Sequence, residues 1–213
     1  MSDLKPLVIY HDNCADGFGA AWAAWFKLRD NAEYLPMNYN DKRVFVGEDG
    51  KLVFPVDLEQ RNVYILDFSF KPAIMEGILW AANHVTWIDH HKTAFEDRGL
   101  NPKMAFREKG VDWRYILDPD HSGCALAWQH FNPGLVMPIG LALIEDRDLW
   151  KWAFPNTRDF ATGLRSEPFS FERFNHAMWL PDVTIDAGRS MNKLLDQQLA
   201  DVTKWPMPVD LYD

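Results

Sequence analysis

Three short apolar runs in the first ninety residues are separated by stretches with helical spacing. The runs cover residues 7–10, 62–66 and 85–88, and their length and content of β-branched and aromatic residues predict buried strands. Between them, residues 20–28 and 73–82 carry apolar positions at helical spacing. Because strands alternate with helices, the pattern predicts an α/β fold with a mainly parallel sheet flanked by helices.

The rest of the chain is predicted to be helical. Segments with helical spacing are 122–131, 138–144, 157–164, 171–179 and 183–202. The segment 42–55 is polar and contains glycine, so we expect either a loop or an exposed hairpin there. We assign residues 1–152 to an α/β core and residues 153–213 to a helical C-terminal extension of the same domain, ending in a linker-like helix.

Composition excludes several classes of function. The chain of 213 residues has a net charge of -9 and no cluster of Lys and Arg, which argues against binding long duplex nucleic acid. Two cysteines, no predicted signal peptide and no apolar run of membrane-spanning length indicate a cytoplasmic protein without a membrane partner. An acidic protein can still bind a phosphate ester if bound cations invert the local field. The oligomeric state is left open.

Each predicted strand ends in ionisable side chains. His11, Asp12 and Asp16 follow the first strand, Asp67 follows the second, and residues 89–91 (Asp-His-His) follow the third. A single aspartate at such a position is usually a turn residue or a helix cap. Ligands of open parallel sheets, however, bind beyond the carboxyl ends of the strands. Converging carboxylates and imidazoles predict a site for Mn²⁺ or Mg²⁺, because unpaired like charges are unfavourable.

Five motifs, in this order along residues 7 to 152, resemble those of the DHH family of phosphoesterases. Residues 88–93 (IDHHKT) resemble the signature motif, which is the only one that is specific by itself. Residues 10–19 (YHDNCADGFG) resemble the first motif in its cysteine-containing form. The remaining similarities are to the second motif, to a small-residue turn that opens a later helix, and to the motif with the last metal-ligating aspartate: residues 66–69, 121–125 and 144–150.

The resemblance implies a hydrolase with two bound ions, Mn²⁺ or Mg²⁺, that activate a water and clamp the attacking and leaving oxygens. It assigns metal ligation to His11, Asp16, Asp67, His90 and Asp146, with Asp67 bridging both ions. It gives catalytic roles to His91, facing the substrate phosphate, and to Asp89, supporting the two histidines. Ser122 and Gly123 are assigned, together with His91, to substrate binding, while Arg147 and Asp148 are expected at the surface or behind the ligands.

Two departures from the family pattern leave alternatives open. Cys14 stands where an aspartate is expected: it is either a soft metal ligand or a small buried residue beside the site, and Asp12 either ligates metal or faces water. Many family members also carry a C-terminal substrate-binding domain with a Gly-rich, His-containing motif. No such motif follows Leu195, so the sequence is either part of a longer protein or a single-domain form.

The resemblance favours one function over two others. We expect hydrolysis of a phosphodiester or phosphomonoester in a short nucleotide-type substrate, a nucleotide or short oligonucleotide, by metal-activated water. The first alternative is hydrolysis of pyrophosphate or polyphosphate, since the same ligands can serve phosphoanhydrides. The second is a nucleotide-binding module without turnover, because no second substrate-binding domain is evident.

Overall fold

A computed structural model describes residues 4–92 and 112–204 of the chain. Its strands are β1 Leu7–His11, β2 Glu33–Met37, β3 Phe45–Val46, β4 Leu52–Val53, β5 Asn62–Leu66, β6 His84–Asp89 and β7 Asp112–Leu117. Its α-helices are α1 Ala15–Leu28, α2 Pro72–Ala81, α3 Gly123–Phe131, α4 Ile139–Asp148, α5 Thr157–Arg165, α6 Phe171–Trp179 and α7 Asp182–Thr203.

Five strands form one parallel sheet in the order β2-β1-β5-β6-β7. The predicted α/β fold with a parallel sheet and C-terminal helices is therefore confirmed. The two outermost strands, β2 and β7, were not predicted. Polar residues interrupt both, and Pro36 lies in β2; proline is tolerated there because an edge strand leaves one row of backbone groups without ladder partners.

The strands bury both of their faces. In β1, Val8 and Tyr10 belong to a core with α1, α3 and the later helices. Leu7 and Ile9 belong to a second core with α2 on the other face. Successive residues of a strand point to opposite faces, so a continuous apolar run is required in a sheet covered on both sides. This explains why the central strands were recognisable in the sequence.

Outside the central sheet, β3 and β4 form a two-stranded antiparallel hairpin, which confirms the hairpin alternative for residues 42–55. The predicted helices are all present, but α4 continues to Asp148 instead of ending at residue 144. Residues 93 and 205–213, which belong to the predicted signature motif and C-terminal extension, lie outside the described residues. In the described part of the chain, no helix combines the length and the apolar character needed to cross a membrane.

The strand order creates a crevice between β1 and β5. The chain leaves β1 towards β2 on one side of the sheet, and it leaves β5 towards β6 and β7 on the other. At such a reversal the segments after two neighbouring strands diverge, and open parallel sheets bind their ligands there, beyond the carboxyl ends. His11 ends β1 and Asp67 follows β5, so both lie at this crevice.

Candidate metal centre

The turn from β1 into α1 brings Asp16 close to His11. The helix begins at Ala15, and Asp16 lies in its first turn with its side chain buried. Gly17 makes the tight turn possible, because a Cβ atom at that position would lie 2.2 Å from the carbonyl oxygen of His11. The small residues of the first motif thus have a steric reason: they let the helix start directly beside the end of the strand.

Asp67 adopts a backbone conformation that is uncommon for a residue other than glycine. Its φ is 52°, and its backbone N–H donates a hydrogen bond to the carbonyl of Ile88 at 2.9 Å. Its side chain packs against Gly123, where a Cβ atom would lie 2.5 Å from the Cβ of Asp67. Strained residues of this kind persist when the surrounding structure over-determines them and are enriched at functional sites.

His90 is surrounded by three carboxylates. Its Nε2 atom lies 3.2 Å from Asp67 Oδ1, 3.5 Å from Asp16 Oδ2 and 3.4 Å from Asp148 Oδ2. These residues come from the ends of β5 and β6 and from helices α1 and α4. Side chains that are far apart in the sequence therefore meet at one point above the carboxyl edge of the sheet.

Asp89 positions both histidines from behind. Its Oδ1 atom accepts hydrogen bonds from the backbone N–H groups of His90 and His91 and lies 2.8 Å from His91 Nδ1. Its Oδ2 atom accepts a hydrogen bond from the Ser69 hydroxyl. The side chain of His91 is 38% exposed and that of His90 only 10%, so His91 is the histidine that faces outward.

Ser122 and Gly123 lie behind the centre, and this differs from the predicted contact with substrate. Both are buried, and the backbone N–H groups of Gly123 and Cys124 donate to the two carboxylate oxygens of Asp16, at 2.7 and 2.9 Å. The Ser122 hydroxyl caps α3 by accepting a hydrogen bond from the N–H of Ala125. The start of α3 thus fixes Asp16 and leaves no surface for a ligand at these two residues.

In the structure, Asp148 lies in the centre, at the place where Asp146 was expected from the sequence. Asp146 is buried and accepts hydrogen bonds from the N–H groups of Ala153 and Phe154 and from the Thr157 hydroxyl. It holds the segment that follows α4 and does not contact His90. Two residues apart on a helix differ by about 200° in direction, so the two aspartates of α4 face opposite ways. Of the two aspartates of α4, Asp148 is therefore the one that lies in the cluster with Asp16 and His90, whereas the resemblance pointed to Asp146.

The spacing of apolar residues along α4 does not by itself separate the two aspartates. Asp148 lies at i+4 from Ile144 and at i+7 from Leu141, and Asp146 lies at i+3 from Leu143; all three apolar residues are buried. Since positions three, four and seven apart share a helix face, tertiary contacts decide which aspartate reaches His90.

Asp12 and Cys14, for which the sequence left alternatives open, are placed differently with respect to the cluster. The Asp12 carboxylate accepts hydrogen bonds from the N–H and side-chain amide of Asn13 and from the amide of Asn38, and it belongs to no group of converging ligand atoms in the described residues. Cys14 does belong to such a group, with His11 and Asp67. The thiol, not Asp12, is thus the side chain of this motif that joins His11 at the site.

Among the residues that the structure describes, three groups of side chains bring ligand atoms within 4.8 Å of one another: His11, Cys14 and Asp67; Asp67, His90 and His91; Asp16, His90 and Asp148. Asp67 belongs to the first two groups and His90 to the last two. The groups therefore form one continuous cluster around Asp67, and not three separate sites.

Neighbouring charges and burial shift the pKa values of the residues in this cluster. The Asp67 carboxylate, 3.8 Å from Nδ1, raises the pKa of His11 to about 10, and Cys14 adds to the rise. Burial lowers the pKa of His90, but the carboxylates of Asp67 and its neighbours outweigh burial and raise this pKa to about 9. Burial, reinforced by Asp67, raises the pKa of Asp16. Protons on the histidines thus balance part of the negative charge.

The donor set fits a divalent cation. Both carboxylate oxygens of Asp67 are buried, and neither accepts a hydrogen bond from any residue in 4–92 or 112–204. His11 Nδ1 is likewise buried and without a hydrogen-bond partner within those residues. Buried polar atoms are nearly always hydrogen-bonded, and an ion is one of the standard partners of those that are not. Carboxylate and imidazole are donors that Mn²⁺ accepts.

Comparison with known proteins gives relatives without a described activity. No family model matches the sequence. The chain is 31% identical over 196 residues to an uncharacterized protein of Acanthamoeba polyphaga mimivirus, covering 87% of this chain and 44% of that relative; it thus spans less than half of the relative's length. Among solved structures, it is similar to an uncharacterized protein from Helicobacter pylori, with a TM-score of 0.49, 11% identity, and coverage of 89% of this chain and 62% of that one.

Proposed function

We propose that this chain is a metal-dependent phosphoesterase of the DHH type that hydrolyses short nucleotide-type substrates. One observation carries the proposal. At the crevice between β1 and β5, three histidines, two aspartates and Cys14 converge around the buried carboxylate of Asp67, which accepts no hydrogen bond from the described residues. The order of the motifs along the chain, which resembles that of the DHH family, adds the reaction class.

Two ions would be held by a ligand set divided around Asp67. On one side lie His11 and Cys14, and on the other His90 with Asp16 and Asp148, so that Asp67 is the residue available to both. When bound, two such ions lower the pKa of a water and neutralise charge on the transferred phosphoryl group. The backbone N–H groups at the N-terminal end of α3 hold the Asp16 carboxylate in place.

His91 is suited to contact the phosphate. Its Nδ1 atom is engaged by Asp89 Oδ1 at 2.8 Å, which leaves Nε2 on the exposed side of the ring. The hydrogen bond with Asp89 raises the pKa of His91 and so favours the protonated ring, whose Nε2–H would donate to a phosphate oxygen. Ser69 fixes the other oxygen of Asp89 and thereby the orientation of the pair.

The surface charge favours short substrates. A chain with a net charge of -9 repels a long polyanion, while a single phosphate at a cationic centre is bound locally. We therefore favour mononucleotides and short oligonucleotides over duplex nucleic acid. Pyrophosphate and polyphosphate are the substrates with which these nucleotides should be compared, because they present the same phosphoryl group without a nucleoside.

Hydrolysis assays with purified protein and Mn²⁺ test the proposal. A dinucleotide, a mononucleotide, pyrophosphate and polyphosphate are compared, and product release is measured by chromatography. Asp67→Asn should abolish activity, whereas Asp30→Asn, the same change at an exposed residue beyond the far end of α1, should retain it. If the wild-type protein binds Mn²⁺ yet cleaves none of the four substrates, the chain is not a phosphoesterase and the binding-module alternative takes its place.

A further inference from the structure

A cavity of about 510 Å³ opens beside the metal centre, between the segment after β2 and the start of α2. Polar, aromatic and cationic residues share its lining. Ser69, which fixes Asp89, lies on its wall, and so does Phe68, which directly follows Asp67. The cavity and the metal centre are therefore neighbours on the same side of the sheet edge.

An aromatic wall connects the two. The ring centroids of His11 and Tyr39 are 5.1 Å apart, and those of Tyr39 and Phe68 are 4.8 Å apart. Phe68 is buried, while Tyr39 is 44% exposed and lines the cavity. A partly exposed ring that lines a cavity offers a flat surface on which a planar group of a ligand can stack.

The charge of the cavity is opposite to that of the protein. Lys42 and Lys71 both line it, and neither forms an ion pair with any residue in the described parts of the chain. The acidic residue in the lining, Asp41, is neutralised by Arg43, whose Nη2 lies 2.6 Å from Asp41 Oδ2. Lys71 also occupies the cap position at the start of α2, where the helix dipole adds partial positive charge.

We infer that this cavity binds the part of the substrate that is not cleaved: a nucleobase stacked on Tyr39 and a second phosphate bound by Lys42 and Lys71. The inference rests on the proposed function only in taking the ligand to be a nucleotide. A ring beside two unpaired ammonium groups, on an otherwise acidic protein, matches a molecule that carries both a base and a phosphate at some distance from the scissile bond. It makes a substrate with two phosphate groups the preferred class.

Binding can be measured separately from hydrolysis. In EDTA, where hydrolysis is suppressed, calorimetry compares a 5′-phosphorylated dinucleotide with the same dinucleotide lacking that phosphate. The extra phosphate should raise affinity about tenfold in the wild-type protein, and added salt should weaken this gain. Lys42→Gln and Lys71→Gln should each remove about half of the gain on a logarithmic scale, and the double variant all of it.

Matched variants separate the ring from the charges. Tyr39→Leu should weaken both dinucleotides equally, by about fivefold to tenfold, because stacking does not depend on the terminal phosphate. Lys27→Gln, an exposed lysine near the end of α1 that is remote from the metal centre, should leave both affinities unchanged. A terminal phosphate that adds no affinity in wild type, or a gain that survives in the double lysine variant, overturns the inference. Neither result depends on whether the metal-loaded chain hydrolyses anything.

Discussion

Two polar clusters in this molecule contain similar residue types but differ in whether the aspartate at their centre accepts hydrogen bonds. Between α5 and α7, the Thr162 hydroxyl donates to Asn192 Oδ1 at 2.9 Å, and Asn192 Nδ2 donates to Asp159 Oδ1 at 2.7 Å. Arg158 and Asp196 form two hydrogen bonds across the same pair of helices. At the candidate metal centre, by contrast, neither oxygen of Asp67 accepts a hydrogen bond from the described residues.

The backbones of these two helices also approach closely. Cβ atoms on Gly163 and Gly188 would lie 1.9 Å from the carbonyl oxygen of Thr184 and 1.7 Å from that of Asp159. The two backbones are in direct contact at these glycines, so the helices are fixed against each other there. Near Asp67, Gly123 likewise permits a close approach. There, however, the group that lies against the glycine is the side chain of Asp67 and not the backbone of another helix.

The difference teaches which polar clusters indicate function. Where each buried group has a partner, polar residues fix the packing of two helices, and a structural role accounts for them fully. Where carboxylates crowd together and the oxygens of the central one accept no hydrogen bond, the folded protein bears a cost that an additional partner such as a cation would lower. Residue type alone does not separate the two cases, because aspartate is central to both.

Asp67→Asn is expected to have the largest effect. Asparagine keeps the shape of the side chain but removes the charge that both proposed metal sites share, so bound Mn²⁺ should fall from about two ions per chain to one or none. Activity should fall by about 10³-fold or more. Asn192→Ala in the paired cluster should lower stability without changing metal content. If equilibrium dialysis finds equal Mn²⁺ in Asp67→Asn and wild type, Asp67 does not bridge the sites.

Gly188→Ala tests the backbone contact between α5 and α7. The added methyl group would overlap the carbonyl oxygen of Asp159 and push α7 away from α5, at a cost of about 3 kcal/mol of unfolding free energy. Denaturant unfolding should show the loss, while Mn²⁺ binding measured well below the transition should be unchanged. Ser190→Ala, at an exposed position on the same helix, should stay within about 0.5 kcal/mol of wild type. A stable Gly188→Ala protein would mean that the helices are not in contact there.

The two aspartates of α4 should separate stability from metal binding. Asp146→Ala leaves the N–H groups of Ala153 and Phe154 and the buried hydroxyl of Thr157 without their acceptor, which should cost about 1–3 kcal/mol. Asp148→Ala should instead lower Mn²⁺ affinity by about 10- to 100-fold and leave the stability of the metal-free chain nearly unchanged. The reverse pattern would restore Asp146 as the ligand.

The same pair of residues shows what the sequence could predict. Periodicity identified the central strands, because strands buried on both faces are continuously apolar, and thereby the edge at which His11, Asp67 and His90 meet. It did not fix where α4 ends, since a helix boundary depends on capping and tertiary contacts, and the resemblance to the family motif pointed to Asp146 where Asp148 lies in the cluster. It also did not show that Ser122 and Gly123 are buried behind Asp16, because that depends on how α3 docks against α1.

The smallest expected effect concerns the pH dependence of the metal-free chain. His11 and His90 have pKa values of about 10 and about 9 in the folded protein, above their ordinary value of 6.5. The folded state therefore binds these protons more tightly than the unfolded chain does, so the two histidines contribute stability that is fully present below about pH 6.5 and lost as the pH rises through 9 to 10.

The thermal midpoint of the metal-free protein should accordingly fall between pH 7 and pH 10. Mn²⁺ competes with these protons for the ring nitrogens, so its affinity should rise over the same interval, and the loaded protein should not show the fall. Asp67→Asn is the control, because it removes the carboxylate that raises the pKa of both histidines and should flatten the profile. A metal-free midpoint that declines equally in wild type and in this variant would assign the pH dependence to groups outside the centre.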